Sequence, residues 1–166
     1  MATATYVPLA TTTLAGVTTT ITFSGISQDY TDLRVIIWAY DGNSPIFYFN
    51  GNNSGYAYDS IGGYSGGASV YNSLTDVQVY LLNWNAPTTA TPQAYEINIA
   101  QYASSTYRKT ALSFSANDKN VTNQGELELN GGNWNSASAI TSLSIVGSSS
   151  NFRIGTQATI YGIKAY

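Results

Sequence analysis

The feature that most limits what this chain can fold into is its period. Large apolar residues recur at every second position, in short runs that stop at Gly, Asn, Asp, Ser or Pro. A strand turns successive side chains to opposite faces, so this alternation is its signature. An amphipathic helix needs apolar spacing of 3.6 sustained over about a dozen residues, and no window of the chain offers it.

The runs can be placed one by one. Thr20 to Ser24 sets Ile21 and Phe23 on one face. In Leu33 to Tyr40, Leu33, Val35, Ile37 and Ala39 point one way and Arg34, Ile36, Trp38 and Tyr40 the other, which predicts a central strand covered on both sides. Ile46 to Asn50 follows the turn Asp41-Gly42-Asn43 and ends at Asn50-Gly51-Asn52-Asn53, a sequence suited to positive φ. Asp76 to Asn83 directs Val77, Val79 and Leu81 inward, and Gln93 to Tyr102 sets Tyr95, Ile97 and Ile99 against Glu96, Asn98 and Ala100. Tyr107 to Ala116 is expected to point Thr110, Leu112 and Phe114 inward. Gln124 to Leu129 opposes Leu127 and Leu129 to Glu126 and Glu128, and Ile140 to Val146 and Ala158 to Ile163 complete the set.

Two stretches read as loops. One is residues 54–73, with Gly62-Gly63-Tyr64-Ser65-Gly66-Gly67 and room for a short pairing at Tyr56 to Asp59; the other is residues 84–92, with two prolines. Eight or nine strands with a turn every ten residues or so predict an antiparallel β-sandwich or jelly roll, with no room for crossover helices. Residues 1–18 are Thr/Ala-rich with Pro8 and Gly16, and read as an extended N-terminal arm that becomes ordered against a partner. Residues 19–166 then form one sandwich domain, within reach of a single core at this length.

Composition removes whole classes of chemistry. The chain has no histidine and no cysteine, and 9% of its residues are charged. Catalysis of the Ser-His type, disulfides and zinc-thiolate sites are therefore excluded. A Ser-Lys dyad using Lys109, Lys119 or Lys164 has no Ser-x-x-Lys motif behind it. Of the nine carboxylates, Asp29, Asp41 and Asp118 sit in turn-type sequence and Glu96, Glu126 and Glu128 at outward strand positions, and the set reads as solvated or turn residues rather than as a glycosidase pair.

Asp41-x-Asn43, Asn50 to Asn53 and Asp59 could offer oxygen ligands to calcium. The glycine and glutamate of an EF-hand loop are missing, so these read as turns. No catalytic, cofactor or metal residue is assigned. The net charge of -3 and six scattered basic residues argue against nucleic acid as partner. No run approaches the ~18 apolar residues of a membrane-spanning helix. No basic residue precedes Arg34, so a secretory leader is not expected, and synthesis in the cytoplasm is. Among the 14 tyrosines, Tyr56, Tyr58, Tyr64 and Tyr71 cluster in the Gly-rich stretch. With Tyr6, Val7 and Leu9 of the arm, they are the candidate residues for an interface or glycan contact.

Five segments in order carry a resemblance. They are Tyr30-Thr31-Asp32-Leu33-Arg34-Val35-Ile36; Phe49-Asn50-Gly51 leading to Ser54-Gly55-Tyr56-Ala57-Tyr58; and Tyr107-Arg108-Lys109-Thr110. Then come Gly132-Asn133-Trp134 with Ala139-Ile140-Thr141-Ser142-Leu143, and last Asn151-Phe152 with Gly155-Thr156-Gln157-Ala158-Thr159-Ile160-Tyr161-Gly162-Ile163. Over residues 5–166 the chain resembles a family of small tailed-bacteriophage and prophage virion proteins, with Ile160 where Leu is commoner. The resemblance implies a jelly-roll-like fold and a homotrimer. It implies a non-enzymatic role in the virion, as a capsid decoration or cement protein on the major capsid protein. The other role it allows is a tail or fibre component touching a host glycan.

Overall fold

The computed structural model describes residues 5–40, 45–64, 67–76, 79–80, 92–121, 124–148 and 150–164. Among them are twelve strands and no helix. They are β1 (Tyr6–Thr13), β2 (Thr20–Ser24), β3 (Asp32–Ala39), β4 (Pro45–Phe49), β5 (Tyr56–Tyr64) and β6 (Gly67–Asp76). There follow β7 (Val79–Tyr80), β8 (Gln93–Ala100), β9 (Lys109–Val121), β10 (Gln124–Trp134), β11 (Ser142–Gly147) and β12 (Gln157–Ile163). All pairings are antiparallel. The larger sheet runs β1-β12-β3-β8-β9-β10-β5-β6 and the smaller β2-β11-β4-β7. The chain is the all-β sandwich that the alternation predicts.

Successive strands change sheet. β1 and β3 lie in the larger sheet, β2 and β4 in the smaller. The same alternation returns with β7 and β8, and with β11 and β12. Hairpins β5–β6 and β9–β10 interrupt it, and both extend the larger sheet on one side. The core lies between the sheets. Leu33, Val35, Ile37 and Ala39 of β3 are fully buried, with Ala158 and Ile160 beside them on β12 and Tyr95, Ile97 and Ile99 on β8. Ile21, Phe23, Phe47, Phe49, Leu143 and Ile145 face them from the smaller sheet. Each large side chain so buried contributes about 1.5–3 kcal/mol.

Four expectations need correction. First, the strands outnumber the eight or nine expected, because β1 is a strand and the stretch read as a loop holds β5 and β6. Tyr56–Tyr64 pairs with both β6 and β10, and these ladders override the weak strand propensity of Gly62 and Gly63. Second, the arm over residues 1–18 belongs to the sheet where it is described. β1 is an edge strand paired with β12, and Leu9 and Leu14 pack on the core. Pro8 suits an edge, since it has no N–H to give a ladder. Third, β3 is covered on one side only in the single chain, for Trp38 on its outer face is half exposed. Fourth, β9 faces the other way: Ser113 and Ser115 are buried, and Leu112 and Phe114 are exposed. Asp41-Gly42-Asn43, Val77, Leu81, Ser65, Gly66 and residues 84–91 lie outside the described residues.

One close approach explains two residues of the family-like motifs. Gly162 is buried near the end of β12, with the ring of Tyr30 packed over it. A Cβ at position 162 would come within 2.4 Å of that ring. Lys164 then stands 5.9 Å from the Tyr30 centroid, in cation–π range. Gly162→Ala should therefore destabilise the fold by about 1–3 kcal/mol through overpacking. Tyr30→Ala in the same chain should recover part of the loss. Urea unfolding of the two single variants and the double variant checks the coupling.

Candidate interaction surface

The motif residues first build a frame. Phe49, Tyr56 and Trp134 form an aromatic cluster, with Tyr56 and Trp134 stacked at 6.3 Å and Phe49 within 5.9 Å of both. The Tyr56 hydroxyl accepts from the Phe49 N–H (3.0 Å) and donates to the Asn52 carbonyl (2.9 Å). Burial pushes its pKa up to about 12, so it stays a neutral donor. Asn50 adopts φ 53° at the turn after β4 and Gly51 follows at 68°, a conformation Asn and Gly tolerate. The Asn50 side-chain oxygen accepts from the N–H groups of Thr141 (2.8 Å) and Ser142 (3.1 Å), and its amide donates to the Ala139 carbonyl (2.8 Å). The residues that resembled calcium ligands around Asn50 thus tie a turn to the start of β11.

Lys109 is not a solvated surface charge. Its side chain is fully buried, and its ammonium donates to the carbonyls of Ser104 (2.5 Å), Tyr107 (2.7 Å) and Ala137 (3.2 Å). Desolvation lowers its pKa. These three bonds fasten the turn before β9 to the segment after β10. They are carbonyl contacts, and nothing in them resembles a Ser-Lys dyad.

The extension formed by β9, β10, β5 and β6 has two unlike faces. Register places Ser113 opposite Asn130, Ser115 opposite Glu128 and Asn117 opposite Glu126, with Ser60 opposite Asn130 on the far side. These are inner positions, in line with Ile97 and Tyr95 of β8. The strip is polar yet buried: Asn130, Ser60, Ser113, Ser115 and Asn117 are all at most 5% exposed. Among the described residues, the Ser113 hydroxyl and the amide groups of Asn117 and Asn130 have no hydrogen-bond partner. Each such orphan costs about 1–3 kcal/mol.

Glu128 lies in the same strip. Its carboxyl is pushed up to about 7, mainly by burial and further by the charge of Glu126, while the Ser60 hydroxyl opposes the rise. Glu128 is therefore not the solvated carboxylate expected from the sequence. Beside it, the Tyr95 hydroxyl donates to the Gln93 side-chain oxygen, and burial pushes Tyr95 well above the ordinary tyrosine range.

The outer face of the same four strands is apolar and open. Leu112 and Phe114 of β9, Leu127 and Leu129 of β10, Ile61 of β5 and Val70 of β6 are all exposed. At the patch's edge toward β8, the Arg34 guanidinium meets the Glu96 carboxylate at 2.5 Å, and Asn98 donates to Glu96 at 3.0 Å. Desolvation pushes Glu96 up, but the bonds from Asn98 and Arg34 win and hold it below the ordinary range.

The contact residues expected from sequence do not converge. Tyr56 is buried in the frame, and Tyr58 is half-buried on β5. Tyr64 and Tyr71 are in β5 and β6 by their backbone, and their side chains lie outside the described residues. Tyr6 is half exposed at the sheet edge, with the Arg34 guanidinium 5.5 Å from its ring centroid, while Val7 and Leu9 are half-buried. The surface that sequence reasoning missed is the Leu112–Phe114–Leu127–Leu129 face. Its signal was present as alternation on β9 and β10, but those leucines and that phenylalanine were taken for core. Among the described residues no group of three or more acidic residues is placed to hold a metal ion. Comparison with protein-family models, with curated proteins and with solved structures gives no match.

The raised Glu128 pKa has a definite sign. The folded state holds this proton more tightly than the unfolded chain, so Glu128 opposes folding increasingly as pH rises from about 4.5 to about 7. Above that window the penalty is on the order of 2–3 kcal/mol. Glu128→Gln should remove this pH dependence and be more stable than the parent at pH 8. Urea midpoints of both proteins at pH 5 and pH 8 check it.

Proposed function

We propose that this chain is a non-enzymatic structural protein of a tailed-bacteriophage virion. It assembles in the host cytoplasm and acts as a capsid decoration or cement protein, a homotrimer seated on the major capsid protein. The observation that supports this reading best is the strand order. Without the two inserted hairpins, β1-β12-β3-β8 faces β2-β11-β4-β7, with successive strands alternating between sheets. We read this order as that of a jelly roll, two Greek keys folded over one core, an architecture that recurs in viral capsid proteins. Fold alone does not assign a function; the ordered sequence motifs supply the rest of the support.

Those motifs coincide with the contacts that hold the order in place. Tyr30 seats on Gly162, Tyr56 stacks with Trp134 while Phe49 packs tilted against both, and Asn50 ties β4 to β11. The tail or fibre reading, with a host glycan as ligand, relied on Tyr56 and its neighbours as a flexible binding loop. Tyr56 is buried and its stretch is a hairpin, so that reading has less to stand on.

Particles lacking the protein should burst at lower temperature or under milder osmotic shock than complete particles, and adsorb to cells as well as they do. Depleted particles that are equally robust but fail to adsorb would favour the glycan reading instead.

A further inference from the structure

We infer that the outer face of β9, β10, β5 and β6 is the surface through which copies of this chain meet, so the occupant of that face is the same face of a second copy. This names the interface of the trimer in the functional reading, and rests on that reading only for the number of copies.

The argument starts from what the register sets side by side. Glu96, Phe114, Leu129, Ile61 and Val70 form one row across five strands, and the five are mutual ladder partners. Except for Glu96, which Arg34 neutralises at the rim, that row is a ridge of large apolar groups. The next row on the same face is Ala94, Ala116, Leu127, Gly63 and Ala68, small at every position but one. A ridge beside a trough is self-complementary: the ridge of one copy fits the trough of another, as when sheets pack face to face.

The size of the face agrees. Leu112, Phe114, Leu127, Leu129, Ile61 and Val70 are 41–75% exposed. Together they present roughly 500 Å² of apolar side chain, at the upper end for the largest patch on a monomer. That is most of the ~800 Å² that each partner gives to a stable interface. The ridge and trough rows hold no charge except Glu96, which Arg34 neutralises; the one other described carboxylate on this face, the exposed Asp59, lies in the neighbouring row with Leu112.

The polar strip on the inner side explains why the leucines cannot turn inward instead. The two faces of a strand are exchanged only by a register slip, which would also drive Ile97 and Tyr95 out of ladder alignment.

Sedimentation equilibrium on the full chain tests this, with Leu129→Glu as the variant and Ile154→Lys as an exposed apolar control outside the face. The parent and Ile154→Lys should sediment at three times the chain mass. Leu129→Glu should sediment as a monomer at the same concentration, with at least a hundred-fold weaker association and an unchanged far-ultraviolet spectrum. Phe114→Lys provides a second variant should Leu129→Glu fail to fold. A parent dimer that Leu129→Glu breaks would support the face and overturn the three-fold arrangement of the functional reading. A parent that is monomeric, or an oligomer that neither variant weakens, overturns the inference. So does a monomeric parent whose binding to phage heads is lost in Leu129→Glu, since that assigns the face to a different protein.

Discussion

The rest of the structure depends on a mismatch of width: eight strands in one sheet against four in the other. On β12, β3 and β8 and on the smaller sheet the inner faces are apolar and make the core. Past β8 the larger sheet continues as two hairpins. Its inner face there turns to serine, asparagine and glutamate, and its outer face to leucine, phenylalanine, isoleucine and valine. The change of polarity across one continuous sheet is the main physical fact about this molecule. A four-stranded extension with its apolar side outward is not built to be stable in water alone.

The same mismatch decides what local chemistry means. Lys109 and Glu128 are ionisable groups in buried positions, yet they have different fates. Lys109 sits at the start of β9, where three carbonyls turn toward it and make it a clasp between turns. Glu128 sits in mid-strand over Gly62, next to Glu126, with small hydroxyls about it, and responds by holding its proton. In the first case the surroundings solvate the charge, and in the second they do not.

Much of the fold was legible because period 2 is a local signal. Thr20–Ser24 has the limits read from sequence, and Leu33–Tyr40, Ile46–Asn50, Gln93–Tyr102 and Ala158–Ile163 lie close to the strands observed. What alternation does not encode is which face of a strand meets the core. On β3 and β8 the apolar set is inward; on β9 and β10 the same pattern is outward, and serine, asparagine and glutamate take the inner positions. Nor did alternation reveal β1 and β5–β6, whose Thr, Ala, Gly and Ser are held by ladders to distant strands rather than by propensity. The candidate site was therefore legible as residues and not as a surface. Leu112, Phe114, Leu127 and Leu129 were all picked out, with the wrong side assigned. Tyr56 was picked out as a contact residue, whereas it is a core ring with a bonded hydroxyl.

The most direct test of this account uses the absence of native cysteine. A single cysteine at Leu129, treated with a short bis-maleimide at low protein concentration, reports whether that face meets its counterpart. Efficient cross-linking of Leu129→Cys between chains, with little from a cysteine at Ile154, is the predicted result. Equal cross-linking at the two positions, or none at Leu129, would contradict the claim that the outer apolar face of the extended sheet is where copies of this chain come together.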